Sequence, residues 1–138
     1  MAAQHDIYSL MKQRVLVMDD DVAICKIITL LLNRLGYDVE CVSCGEECLV
    51  RYEQAIKNGT RYNVVILDLS VQTGMGGIET IKKLRELDPQ VTAIMASGAS
   101  MESATTSYRT HGFTAVLPKP FRFQDVTDCM QKVSPLPP

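Results

Sequence analysis

The sequence lacks two features that would assign it to a membrane or to nucleic acid. No apolar run approaches the roughly 20 residues that a transmembrane helix needs, and the start, "MAAQHDIYSLMKQ", does not have a signal-peptide pattern. The 14 basic residues are spread along the chain, whose formal net charge is -2. A nucleic-acid-binding domain usually carries clustered basic residues. We therefore expect a cytoplasmic protein without membrane insertion or direct nucleic-acid binding.

Cysteine and histidine are too few and too poorly spaced to predict a zinc site. The chain has five cysteines, an odd number, and no secretion signal, which indicates free thiols. Three of them lie in "CVSCGEEC" (residues 41–48), but no second pair of Cys or His ligands follows at a suitable spacing. We expect these cysteines to be buried or partly buried thiols.

Five short apolar segments alternate with five longer segments of helical character, and the length of 138 residues suits one domain. The first, third and fourth apolar segments are nearly continuous, as in strands that are covered on both faces. Strands that alternate with helices predict a parallel sheet. We predict a doubly wound α/β fold of the flavodoxin-like kind, with strand order 2-1-3-4-5 and five helices. The predicted strands are Arg14–Met18, Tyr37–Val42, Asn63–Leu67, Thr92–Ala96 and Thr114–Leu117.

The helix limits follow from capping and turn residues. Asp21 is the predicted N-cap of the first helix, and Gly36 is its C′ residue. The fourth helix, within "SMESATTSYRT" (residues 100–110), is rich in Ser and Thr, so we expect it to be held least firmly. The second, third and fifth helices are predicted at Gly45–Lys57, Gly77–Leu87 and Phe123–Val133.

Polar residues follow four of the five predicted strands. Asp19 and Asp20 follow the first, Asp68 the third, Ser97 the fourth, and Lys119 closely follows the fifth. Sites in doubly wound sheets form at the carboxyl ends of the strands, so we expect these side chains on one rim. Two carboxylates about 4 Å apart repel by about 4 kcal/mol at an effective dielectric constant near 20. Such a cluster takes up protons or recruits a cation, and Mg²⁺ suits oxygen ligands that also face phosphate.

These residue types favour phosphoryl transfer, with Asp68 as the nucleophile. A phosphate-binding P-loop is disfavoured because Gly77 is followed by Ile-Glu rather than by Lys and a hydroxyl residue. A phospho-aspartyl phosphatase usually has a second Asp two residues after its nucleophile, where this chain has Ser70. That phosphatase is the less favoured alternative, and a third is a module that only binds partners.

Four motifs, "VLVMDDD", "VVILDL", "IMASG" and "VLPKPF", resemble in order and spacing the receiver domain of two-component response regulators. The resemblance implies that Asp68 is the phosphoacceptor and that Asp19 and Asp20 are the acidic pair. Asp20 would bind Mg²⁺ directly and Asp19 through water, while Asp68 and the backbone carbonyl of Ser70 would be further ligands. It also implies that Ser97 is the switch hydroxyl and that Lys119, before a cis peptide bond to Pro120, pairs with a phosphoryl oxygen.

The sequence departs from the family pattern at three places. The loop "LSVQTGMGG" after Asp68 has one apparent extra residue before Gly77 and resembles receivers that are attached to sensor kinases. Val116 occupies the usual aromatic switch position. Neither Ser70 nor Ala99 offers an amide or carboxylate to position a water, so we expect modest self-dephosphorylation.

The resemblance extends over residues 14–133, preceded by an extension or linker (1–13) and followed by a short tail (134–138). It implies that the phosphoryl donor is a sensor histidine kinase or a histidine phosphotransfer protein. The chain would promote its own phosphorylation and dephosphorylation without being a conventional enzyme. An output partner would bind the surface formed by the fourth helix, fifth strand and fifth helix. The sequence fits both a stand-alone regulator and a receiver from a hybrid kinase.

Overall fold

The structure, a computed structural model, describes residues 12–98 and 106–136. The five strands form one parallel sheet in the order β2-β1-β3-β4-β5, which confirms the predicted fold class and topology. The elements in chain order are β1 (Arg14–Met18), α1 (Val22–Arg34), β2 (Asp38–Val42), α2 (Gly45–Lys57), β3 (Val64–Asp68), α3 (Gly77–Leu87), β4 (Ala93–Ser97), β5 (Ala115–Pro118) and α4 (Phe123–Val133).

The described residues contain four helices rather than the five predicted. The predicted fourth helix falls on residues 100–110, most of which lie outside the described residues, so α4 corresponds to the predicted fifth helix. The limits of α2, α3 and α4 match the prediction. Three strands begin and end one residue later than predicted, and β2 begins one residue later.

The ends of α1 are fixed by the two residues that the sequence indicated. The Asp21 side chain accepts hydrogen bonds from Ala23 N at 2.9 Å and Ile24 N at 3.4 Å, which confirms its role as N-cap. Gly36 follows the C-cap with φ at +100°, a left-handed conformation that glycine adopts without steric cost. Asp21 and Gly36 therefore mark the limits of α1 between β1 and β2.

The sheet is covered on both faces by apolar side chains. Every residue of β3 and β4 is buried, as expected for central parallel strands. One core cluster includes Leu16, Leu67 and Ile81, and the other includes Val17 and Ile66. None of the helices in the described part of the chain is long and apolar enough to cross a membrane.

The strand register aligns the chain segments that leave the sheet at its carboxyl edge. Met18 pairs with Leu67, so the residues that follow them, Asp19 and Asp68, lie next to each other. Ser97 pairs with Pro118, the residue before Lys119. Backbone pairing alone therefore brings the predicted polar residues to one rim of the sheet.

Candidate functional site

Three carboxylates meet at the carboxyl edge of the sheet. One oxygen each from Asp19, Asp20 and Asp68 lies within 4.8 Å of the others. Asp19 and Asp68 are only 3% and 2% exposed, while Asp20 is more accessible to solvent. Since charge repulsion between buried carboxylates is weakly screened, the cluster favours proton uptake or positive charge nearby.

Lys119 supplies one positive charge to this cluster. Its Nζ lies 2.8 Å from Oδ2 of Asp19 and 3.1 Å from Oδ1 of Asp68. The main chain of the same residue is tied to β4, because Lys119 N donates to the carbonyl oxygen of Ser97 at 2.9 Å. The following peptide bond, to Pro120, is cis, as predicted. One lysine therefore pairs with two of the three carboxylates, and the cluster keeps an excess of negative charge.

The pKa values of Asp19 and Lys119 reflect this environment. Burial raises the pKa of Asp19 above its usual value, and the hydrogen bonds from Lys119 and Asp21 N only partly offset that rise. Burial alone would lower the pKa of Lys119, but the hydrogen bond to Asp19 and the charge of Asp68 outweigh it, so the pKa is raised. The lysine is therefore held in its charged form.

The loop after β3 adds main-chain donors that the sequence did not indicate. Ser70 donates to Oδ1 of Asp68 from its amide at 3.1 Å and from its hydroxyl at 2.9 Å. Gln72 N donates to Oδ2 of Asp20 at 3.1 Å. An amide donor is available at every residue except proline, so no side-chain pattern could have identified Gln72 as part of the site.

Ser97 and Val116 lie on the neighbouring strands β4 and β5. Ser97 ends β4, is 5% exposed, and its hydroxyl donates to the carbonyl oxygen of Gly98 at 3.2 Å. Val116 is half-buried on β5 and packs against the core cluster that contains Leu67. Ala99 lies outside the described residues.

The donor set fits a hard divalent cation. Three carboxylates within 4.8 Å offer oxygen ligands to one ion. All three accept hydrogen bonds that fix their orientation. Lys119 donates to Asp19, Gln72 N to Asp20, and Ser70 to Asp68. Asp21, by contrast, caps α1 with its side chain. It is not one of the three carboxylates of the cluster.

Comparisons with known proteins agree with this geometry. The response regulator receiver domain family matches residues 15–131. The chain is 29% identical over 119 residues to the transcriptional regulatory protein ZraR of Escherichia coli (strain K12), covering 86% of the chain and 25% of ZraR. It is thus similar to about a quarter of that relative. The sporulation initiation phosphotransferase F of Bacillus subtilis (strain 168) is 24% identical over 127 residues, which cover 92% of this chain and 98% of that protein.

A solved structure shows the same fold. The chemotaxis protein CheY4 of Vibrio cholerae superposes with a TM-score of 0.78 at 26% identity, covering 88% of this chain and 98% of CheY4. The family match extends from β1 into α4 and so includes all five strands and the acidic rim. The chain therefore belongs to the response regulator receiver domain family of two-component systems.

Proposed function

We propose that Asp68 accepts a phosphoryl group from a phosphohistidine on a sensor histidine kinase or a histidine phosphotransfer protein. The observation that supports this proposal is the meeting of Asp19, Asp20 and Lys119 around the Asp68 carboxylate on one rim. This arrangement offers a nucleophile, ligands for a cation, and a cation for the transferred group.

In the proposed transfer, an Asp68 carboxylate oxygen forms a bond to phosphorus while the phosphorus–nitrogen bond of the donor histidine breaks. The electron pair of that bond returns to the imidazole. Lys119, whose Nζ contacts both Asp19 and Asp68, would pair with an oxygen of the incoming group. Asp20 would hold Mg²⁺ directly and Asp19 through water, together with Asp68 and the carbonyl of Ser70. When bound, Mg²⁺ would offset the negative charge that the phosphoryl group adds.

An output partner would recognise the phosphorylated state through a surface next to the site. We propose that Ser97 moves toward the phosphoryl group and that this shifts the segment after β4, as one of two states whose populations change. A groove of about 350 Å³ is lined by β5 and α4 residues that include Pro118, Asp125 and Lys132. An output partner would bind this surface, and the chain would also promote its own dephosphorylation.

The proposal concerns the receiver module, because the chain matches about a quarter of the length of ZraR. Residues 14–133 would act as the receiver module in the cytoplasm, with residues 1–13 and 134–138 as the flanking segments.

The test is phosphorylation by acetyl phosphate followed by intact-mass measurement. Wild type and the variants Asp68→Asn and Asp128→Asn are each incubated with Mg²⁺ or with EDTA. Asp128 is exposed on α4 and is paired with Gln124, so its variant controls for the loss of one carboxylate. We expect wild type and Asp128→Asn to gain one phosphoryl group with Mg²⁺ only, and Asp68→Asn to gain none. If wild type gains none under any condition, the proposal is wrong and a module that only binds partners is favoured.

A further inference from the structure

The loop between β3 and α3, residues 69–76, is attached to a helix that contributes no residue to the acidic rim. We call this segment the phosphoacceptor loop. Met75 N donates to Oε1 of Glu46 at 2.7 Å, and Gly45 N donates to the carbonyl oxygen of Met75 at 2.9 Å. Both main-chain polar groups of Met75 are therefore bound by the first turn of α2.

Two glycines permit this attachment. Gly74 has φ at +92°, and a Cβ there would lie 2.8 Å from Oε1 of Glu46. A Cβ at Gly45 would lie 2.1 Å from Oγ1 of Thr80 and 2.7 Å from Cβ of Met75. Since real side chains do not approach so closely, residues at both positions must be glycine for the loop and α2 to meet in this way.

The attachment continues to the acidic rim through the loop backbone. Three residues before Met75, the amide of Gln72 donates to Oδ2 of Asp20. Two residues earlier, Ser70 donates to Asp68. The loop is thus held at Asp68, at Asp20 and at α2. Of its two hydrogen bonds to α2, the one from Met75 N depends on the side chain of Glu46.

We infer that Glu46 is a positioning residue for the acidic site. Its carboxylate holds Met75, which keeps the phosphoacceptor loop where the Gln72 amide orients the Asp20 carboxylate. The expected effects on Mg²⁺ binding and phosphorylation rest on the function proposed above. The contact between Glu46 and Met75 is independent of that function.

A general effect of acidic residues at the start of a helix must be separated from this role. Glu46 and Glu47 both lie in the first turn of α2, where negative charge stabilises a helix. Glu47 accepts from Ser43 N at 3.2 Å and from the Ser43 hydroxyl at 3.3 Å, and these contacts lie outside the phosphoacceptor loop. Glu47→Ala is therefore a matched control for Glu46→Ala, and Glu46→Gln keeps an oxygen that can accept from Met75 N.

The test measures amide hydrogen exchange, Mg²⁺ affinity and phosphorylation in wild type and these three variants. In Glu46→Ala we expect exchange at Gln72 and Met75 to be about threefold to tenfold faster, as for the loss of one hydrogen bond. We expect Mg²⁺ to bind more weakly by a similar factor, with an unchanged phosphorylation rate at saturating Mg²⁺. Glu46→Gln should show a smaller increase than Glu46→Ala, because a neutral acceptor replaces the charged one, and Glu47→Ala should show no change at Gln72.

Unchanged exchange at Gln72 in Glu46→Ala, or the same change in Glu47→Ala, would show that Glu46 does not position the loop. Faster exchange at Gln72 without weaker Mg²⁺ binding would overturn the link to the acidic site. If wild type binds Mg²⁺ but is never phosphorylated, the proposed function fails while the exchange and Mg²⁺ measurements still decide the role of Glu46. If wild type binds no Mg²⁺, the exchange at Gln72 decides it alone.

Discussion

Replacing the Asp68 carboxylate by an amide should stabilise the fold while it removes the proposed phosphoacceptor. The carboxylate oxygens lie within 4.8 Å of one another. At that upper limit and an effective dielectric constant near 20, each repulsion of Asp68 by Asp19 and Asp20 costs about 3.5 kcal/mol. The attraction to Lys119 at 3.1 Å returns about 5 kcal/mol on the same scale. Screening by solvent reduces both contributions, since Asp20 and Lys119 are partly exposed. We expect Asp68→Asn to raise the free energy of unfolding by about 1–2 kcal/mol near neutral pH.

The assay is urea-induced unfolding of wild type, Asp68→Asn and Asp128→Asn at pH 7.5 without divalent ions. Asp128→Asn should stay within about 0.5 kcal/mol of wild type, as is usual for a surface substitution. Addition of Mg²⁺ at about 100 times its dissociation constant should stabilise wild type by about 2.7 kcal/mol and Asp68→Asn by less. The reasoning would be refuted if Asp68→Asn were no more stable than wild type in the absence of Mg²⁺.

Three further predictions concern packing and polar contacts outside the acidic cluster. Gly45→Ala should destabilise the fold by about 1–3 kcal/mol in urea unfolding, because the added Cβ would overlap Thr80. Tyr37→Phe should cost about 0.5–1.5 kcal/mol, since the hydroxyl donates to the carbonyl oxygen of Ser134 at 2.6 Å in a buried position. Burial tends to raise the pKa of Asp88, but hydrogen bonds from neighbouring residues outweigh it and lower the pKa. The stabilisation by the Asp88 carboxylate is therefore present above the usual Asp pKa near 4 and is lost as the pH falls through the lowered pKa of Asp88. The difference in unfolding free energy between wild type and Asp88→Asn should therefore shrink in acid.

Much of the fold could be predicted because local and global signals agree. Asp21 and Gly36 mark the ends of α1 through capping and a left-handed backbone, which are local effects. The continuous apolar segments of β3 and β4 reflect burial on both sheet faces. The strand ends were predicted less accurately, because an apolar run does not show where pairing with a neighbouring strand stops. In β3, for example, Asp68 still pairs with Ala96 of β4.

The meeting of the acidic residues with Lys119 could also be predicted, since parallel strands all end at the same rim. The contacts of Glu46 and Gln72 could not. Both depend on main-chain groups of one loop, and the path of that loop is set by close packing at Gly45 rather than by a sequence pattern. The same holds for the segment after α4, where Leu136 packs 3.2 Å from the position that a Cβ on Gly36 would take.

The central claim is that Asp68 itself receives the phosphoryl group. The most direct test is to phosphorylate the protein with acetyl phosphate and Mg²⁺, reduce the acyl phosphate with borohydride, and map the product by peptide mass spectrometry. Reduction converts a phosphorylated aspartate to homoserine, so the modified residue can be located. The account predicts homoserine at position 68 alone. Homoserine at position 19 or 20 instead, or no modified residue in wild type, would contradict it.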